Sequence, residues 1–236
     1  VASLQDLEAA EDATRVAVFD ALGEYLGLIR STVFRDPARP DWVMWPSQAW
    51  PELFTSRVLP VLAREFADQL RAEGVSDESF IGSATASFVT QVSVLVNDPH
   101  IPTRVLEETT RSVASEEFQV AGDKAALIGA LLVAGAVVWT GMVGVAASNA
   151  AAWAVNAATN TAAQGQANRG RQVLKTWRAV DDARTRMSHA AVDNTSVPFA
   201  GSFMVGGFPL RFPHDPFGPA QEIMNCRCVL SFEVVS

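Results

Sequence analysis

Residues Asp181 to Val229 read DDARTRMSHAAVDNTSVPFAGSFMVGGFPLRFPHDPFGPAQEIMNCRCV, and this stretch decides how the chain divides. It carries both cysteines, Cys226 and Cys228, two of the three histidines, His189 and His214, and punctuation at Gly206-Gly207, Pro213, Pro216 and Pro219. Glycine and proline at that density break a chain into short strands and turns. Upstream, apolar residues recur at helical spacing over long runs. The expected class is therefore α+β, with a mainly helical body over residues 1–168 and a small α+β domain over 169–236.

Local signals fill in the second part. Val173 to Val180 has strand propensity, with Trp177 as its anchor. Asp181 or Asp182 can cap a short helix carrying His189, and Asp193-Asn194 then turns the chain into a strand at Thr195 to Pro198. Phe203 to Val205 and Phe208 to Leu210 flank Gly206-Gly207, a hairpin signal. A Pro-rich loop over 213–219 leads to a last strand from Cys226 to Val234. Few apolar residues fall on each strand, so something besides core burial is expected to hold the domain.

Three uses of the polar residues compete. On an extended segment Cys226 and Cys228 face the same side, about 6–7 Å apart along the chain. His189, with His214 or Asp215, can then complete a set of four zinc-type ligands, although the spacing is not that of a zinc ribbon. A cysteine with His189, oriented by Asp193 or Asp215, supplies a nucleophile, a base and an orienter. No nucleophile elbow and no phosphate-binding Gly loop accompanies them, and no catalytic residue is assigned. Arginine offers a third use, because its planar fork can fix loops by binding carboxylates and carbonyls. A polar knot of Asp182, Arg186, His189, Asp215 and Arg227, with Asn225 turning the chain into the last strand, is the preferred reading. It requires no cofactor, and zinc is the one candidate.

The order Asp182, Thr185, Arg186, His189, Asp193, Val197-Pro198, Phe203, Val205-Gly206-Gly207, Pro213, Asp215-Pro216 and Asn225-Cys226-Arg227-Cys228 resembles the C-terminal domain of tailed-phage minor head proteins typified by the Mu F head morphogenesis protein. The likeness covers roughly the last third of the chain, from about Thr159. Some relatives carry Cys-x-x-Cys where Arg186 and His189 stand here, which removes one potential metal ligand and exchanges another for imidazole. Many carry Asp-Gly at Asp193-Asn194, a mild change because Asn tolerates the left-handed conformation. The resemblance implies a structural protein, present in a few copies with the portal inside the head, acting in head assembly and DNA packaging or delivery, and assembled in the host cytoplasm. Its partners would be the portal and other head proteins. The runner-up is a cysteine- and histidine-based enzyme or toxin-like domain. A convergent polar pocket around His189 favours the enzyme, and a filled knot favours assembly. Trimming during head maturation would account for a chain beginning at Val1, as would a preceding segment outside this sequence.

Upstream, Leu4, Leu7, Val18, Leu22, Tyr25 and Ile29 mark a long amphipathic helix that stops before Asp36-Pro37. Three of the six tryptophans, Trp42, Trp45 and Trp50, follow in one segment, as a connector packed on the bundle or as a subunit contact. A second helix starts at Pro51, kinks at Pro60 and ends at Gly74. A third, capped by Ser76 or Asp77, ends at Asn97-Asp98-Pro99, and a fourth runs from about Thr103 to Val120. His100 reads as a turn residue.

Between Lys124 and Arg169 no residue is charged, and Ala125 to Ala147 is apolar or small throughout apart from Thr140. At about 1.5 Å per residue that run reaches about 35 Å, enough for a bilayer core. The flanks lack a clear Lys/Arg bias, and a buried central helix or helical hairpin over about 124–165 is favoured over membrane entry via 125–147. Gly129, Gly135, Gly141 and Gly144 would let a neighbour approach closely. Asn149, Asn156, Asn160 and Gln164 share the next helix face, exposed or as a satisfied buried network.

A hydrophobic content of 49% excludes a disordered chain, and a net charge of −8 argues against a surface devoted to nucleic acid. The one basic concentration holds Arg169, Arg171, Lys175, Arg178, Arg184 and Arg186 against Asp181 and Asp182. Arg169, Arg171, Lys175 and Arg178 are the candidates for contact with double-stranded DNA. Two cysteines one residue apart cannot staple distant parts of a fold, and a reducing compartment suits them.

Overall fold

The structure, a computed structural model, describes residues 3–96, 100–180 and 182–235, without the side chains of 94–96, 100–102, 104 and 133–143. The stop at Asn97-Asp98-Pro99 and the cap at Asp181 lie outside the described residues. Helices α1 (Leu4–Thr32), α2 (Ala49–Leu53), α3 (Leu59–Ala72), α4 (Glu78–Val96), α5 (His100–Val113), α6 (Glu116–Val120) and α7 (Lys124–Asn168) come first. They are followed by β1 (Gln172–Arg178), α8 (Met187–Ala190), β2 (Ser196–Pro198), β3 (Phe203–Val205), β4 (Phe208–Leu210), α9 (Ala220–Ile223) and β5 (Val229–Val235). The class is α+β.

Element boundaries have local causes. Ser3 and Asp6 form a capping box, Asp6 N donating to Ser3 Oγ at 3.2 Å and Ser3 N to Asp6 Oδ2 at 2.9 Å. Asp77 caps α4 by accepting from the amides of Ser79 and Phe80. Pro60 acts one turn upstream of itself. Lacking an N–H for the Ser56 carbonyl, it is preceded by a single widened turn over Phe54–Val58, in which Leu59 N donates to Phe54 O.

The fourth helix departs from its expected single span. Ser115 is extended and its hydroxyl accepts from Phe118 N, so it caps a new helix and splits the span into α5 and α6. His100 opens α5 rather than lying in a turn. The apolar run is one uninterrupted helix, α7, not a hairpin. Gly129 and Gly144 have open space where a Cβ would stand, so no neighbour packs closely on either, and the surroundings of Gly135 and Gly141 lie outside what is described. Among the described residues no helix is long and apolar enough to cross a membrane.

The chain forms two compact units. One comprises Val16–Pro60 and Gln91–Gly144. In it the later turns of α1 bury Val18, Leu22, Tyr25 and Ile29. Trp50 is buried with its ring edge-on to Tyr25 at 5.8 Å, while Trp42 and Trp45 are half-buried and stack on each other at 6.3 Å.

The other unit comprises Val1–Arg15, Val61–Thr90 and Val145–Ser236. Phe66 stacks on Phe88 at 4.5 Å and Phe88 meets Trp153 at 5.2 Å, which ties α3, α4 and α7 together. Leu7 and Ala10 of α1 pack with Ala151, Ala152 and Val155 of α7 and with Val229 of β5. Alanines let these elements approach closely. The sheet is antiparallel with order β2-β1-β5, and Trp177 in β1 lies opposite Leu230 in β5. β3 and β4 form the separate hairpin expected at Gly206-Gly207, where both glycines have positive φ.

Candidate functional site around His189

Asn156, buried in the middle of α7, connects helix and strand. Its Nδ2 donates to Cys228 O at 3.2 Å and its Oδ1 accepts from Leu230 N at 2.7 Å. One amide side chain thus satisfies both backbone groups that enter β5. Asn149, two turns earlier on the same face, accepts from Asn225 N at 2.8 Å, and Asn225 turns the chain in the left-handed conformation at φ 54°. The shared amide face therefore fixes the segment that carries both cysteines. Gln164, farther along it, is exposed.

Cys226, Arg227 and Cys228 precede β5 as an extended segment, so the two sulfurs lie on one side and Arg227 on the other. His189 on α8 reaches the sulfurs with Nδ1, 3.3 Å from Cys228 Sγ and 3.5 Å from Cys226 Sγ. Cys228 N donates to Cys226 Sγ at 3.4 Å. The far nitrogen of His189, Nε2, donates to Glu222 Oε2 at 3.1 Å, which also accepts from Ser188 Oγ at 2.9 Å. Trp177 stands edge-on to the imidazole at 5.6 Å. His189, both cysteines, Glu222 and Trp177 are buried. The thiols hold their protons unequally. Hydrogen bonding from Cys226 pulls the Cys228 thiol below its ordinary value, against the effect of burial, and the same bond pushes Cys226 up.

The expected knot resolves into separate locks. Arg227 pairs with Asp182, and Arg186 donates to the Met224 carbonyl. Asp182 also accepts from Arg184 N at 2.9 Å, and this bond, then Arg227, holds its carboxyl below the usual range. Thr185 Oγ1 donates to the Val180 carbonyl. Asp193 accepts from Ala179 N at 2.8 Å, with Asn194 at φ 56° completing that turn. Asp215 is elsewhere. It takes a bidentate grip from Arg211, 2.7 Å from Nε and 2.6 Å from Nη2, inside the Pro-rich loop. Burial would raise its carboxyl, and those bonds outweigh it.

Three expected assignments need correction. His214 does not join His189 and the cysteines, because its Nε2 donates to the Cys226 carbonyl, and burial lowers its pKa to about 4. Neither Asp193 nor Asp215 orients His189, since Glu222 does so. Lys175, taken as a DNA contact, is 2% exposed, with Nζ donating to Arg211 O at 2.9 Å and lying over the Phe199 ring. Its pKa falls to about 8, first through burial and then through Arg211. Arg169, Arg171 and Arg178 remain exposed.

Glu222, Ser188 and Arg211 had no part in the sequence-based site. Lys175 did carry a usable signal, because a strand alternates faces and it stands two residues from buried Trp177. Glu222 carried none, since the four residues of α9 show no period and its partner is 33 residues upstream.

An open cleft of about 670 Å³ borders this arrangement, lined among others by Glu8, Glu11, Asp182, Arg186, His189 and Cys228. Residues 141–231 match the family model described as Phage Mu protein F like protein. The match covers well under half of the chain, begins inside α7 and ends in β5. The resemblance read from the motif holds over that stretch, and the match supports a phage head morphogenesis protein of the Mu F-like type, with the virion as its place. No curated protein and no solved structure matches the chain.

Proposed function

We propose that the chain is a minor head protein that acts at the portal inside the phage head, in head assembly and in packaging or delivery of DNA, and that it catalyses no reaction. The observation that carries this reading is the Mu F-like match over 141–231. From Val145 onward it lies in one compact unit, in which Asn149 and Asn156 of α7 hold the C-terminal segment. The polar groups there serve one another: Arg227 faces Asp182, Arg211 faces Asp215, and Glu222 faces His189. Partners other than the portal are further head proteins and, through Arg169, Arg171 and Arg178, double-stranded DNA.

Genetic complementation tests the role. Phage lacking the gene are expected to form heads that fail to fill with DNA or to deliver it, with rescue by the wild-type chain. Normal infectivity without the gene product would contradict the proposal.

A second reading has its own observation. Cys228 Sγ, His189 and Glu222 stand in the order of a nucleophile, a base and an orienter, at 3.3 and 3.1 Å, beside the cleft. Against it, both sulfurs share one imidazole nitrogen and both are buried. Rapid alkylation of Cys228 by iodoacetamide in the folded protein would favour the enzyme or toxin-like class. Slow alkylation is expected here, because both sulfurs are buried.

A further inference from the structure

We infer that His189 Nδ1, Cys226 Sγ and Cys228 Sγ form a three-ligand zinc site whose fourth coordination position opens to the cleft. The inference stands on the geometry of these groups and is independent of the proposed role in the head.

The three ligand atoms lie within 4.8 Å of one another. With zinc bonds of about 2.0 Å to nitrogen and about 2.3 Å to sulfur, a tetrahedron has N···S edges of about 3.5 Å. The observed separations are 3.3 and 3.5 Å. The imidazole nitrogen therefore stands at zinc-site spacing from both sulfurs.

The surrounding contacts orient the ligands. Because His189 Nε2 donates to Glu222, its Nδ1 presents a lone pair to the two sulfurs. A carboxylate behind the far nitrogen is the arrangement that fixes ring orientation and tautomer in metal-bound histidine. Cys228 N donates to Cys226 Sγ, which fixes that sulfur beside the imidazole. His214 acts on the site through backbone, since its bond to the Cys226 carbonyl holds the first cysteine in place. It is a positioning residue and not a ligand.

Among the described residues no fourth His, Cys, Asp or Glu joins the group. The cleft reaches all three ligands, with Asp182, Thr185, Arg186 and Asn225 also in its lining. Three protein ligands with one position facing a cleft is the pattern of an exchangeable site, in which water or a small anion completes the tetrahedron. Soft thiolates and an imidazole select zinc over magnesium or calcium.

The test uses the full chain, purified under reducing conditions with zinc present and then dialysed. Elemental analysis is expected to give about one zinc per chain, and removal by a strong chelator should lower the thermal midpoint. Titration of the metal-free chain with Co²⁺ is expected to give thiolate-to-cobalt charge-transfer absorption and tetrahedral bands that shift when azide is added. Cys228→Ser should abolish both signals. Should that variant unfold, Glu222→Gln keeps an acceptor for His189 and is expected to weaken zinc binding about tenfold to a hundredfold. Wild-type protein that is folded yet substoichiometric in zinc, with only weak octahedral cobalt bands, would overturn the site. Bound zinc with cobalt bands that azide leaves unmoved would overturn the open fourth position.

Discussion

The packing of α3 and α4 on α7 and the strands that follow α7 belong to one compact unit, yet they are held in different ways. The first buries rings against rings, Phe66 on Phe88 and Phe88 on Trp153. The second buries Lys175, His189, His214, Asp215 and Glu222. Long helices can line up enough apolar surface for burial to suffice, whereas three-residue strands cannot. In the short-strand region directional bonds select the arrangement, and each buried polar group needs its partner.

The largest effects should come from the two apolar anchors. Phe88→Ala and Trp177→Ala are each expected to cost about 3–5 kcal/mol, measured by urea denaturation. A much smaller loss at Trp177 would break the comparison, because it would mean that polar locks hold the strands without a core. Next comes Asn156→Ala, which leaves Cys228 O and Leu230 N without their partner and is expected to cost about 2–3 kcal/mol. Asn156→Asp keeps the bond from Leu230 N but sets a buried carboxyl against Cys228 O, so it should cost at least as much.

Lys175 gives the third effect, one of pH. Its pKa of about 8 in the fold lies below the usual 10.5, so between those values the unfolded chain binds more protons than the folded one. This residue's contribution to stability is fully present above about pH 10.5 and is lost as pH falls through about 8. Lys175→Met should abolish that rise, read as thermal midpoints across this range, and a parallel profile in the variant would show that the ammonium is not buried. The smallest effect is expected at Asn194, where φ 56° suits glycine as well. Asn194→Gly should change stability by no more than about 0.5 kcal/mol, because a relaxed turn offsets the lost bond from Arg178.

The two regions also differ in what the sequence discloses. Helical periodicity, the Asp77 cap and the Gly206-Gly207 turn are local signals, and the elements built on them stand where those signals place them. Ser115 was equally local, yet capping inside a periodic run looks the same as an ordinary helical serine. The site is a matter of pairs distant in sequence. His189 with Glu222, Asn156 with Leu230 and Lys175 with Arg211 are set by how the strands fold back on α7, and residue type alone left several partners open for each. Asp215 shows the same ambiguity at short range, since Arg186, Arg227 and His189 were all plausible partners and the grip comes from Arg211, four residues away.

Cross-linking mass spectrometry of purified procapsids tests the central claim most directly. The account predicts this chain at a few copies per particle, with cross-links to the portal protein. Its absence from procapsids and finished virions would contradict it.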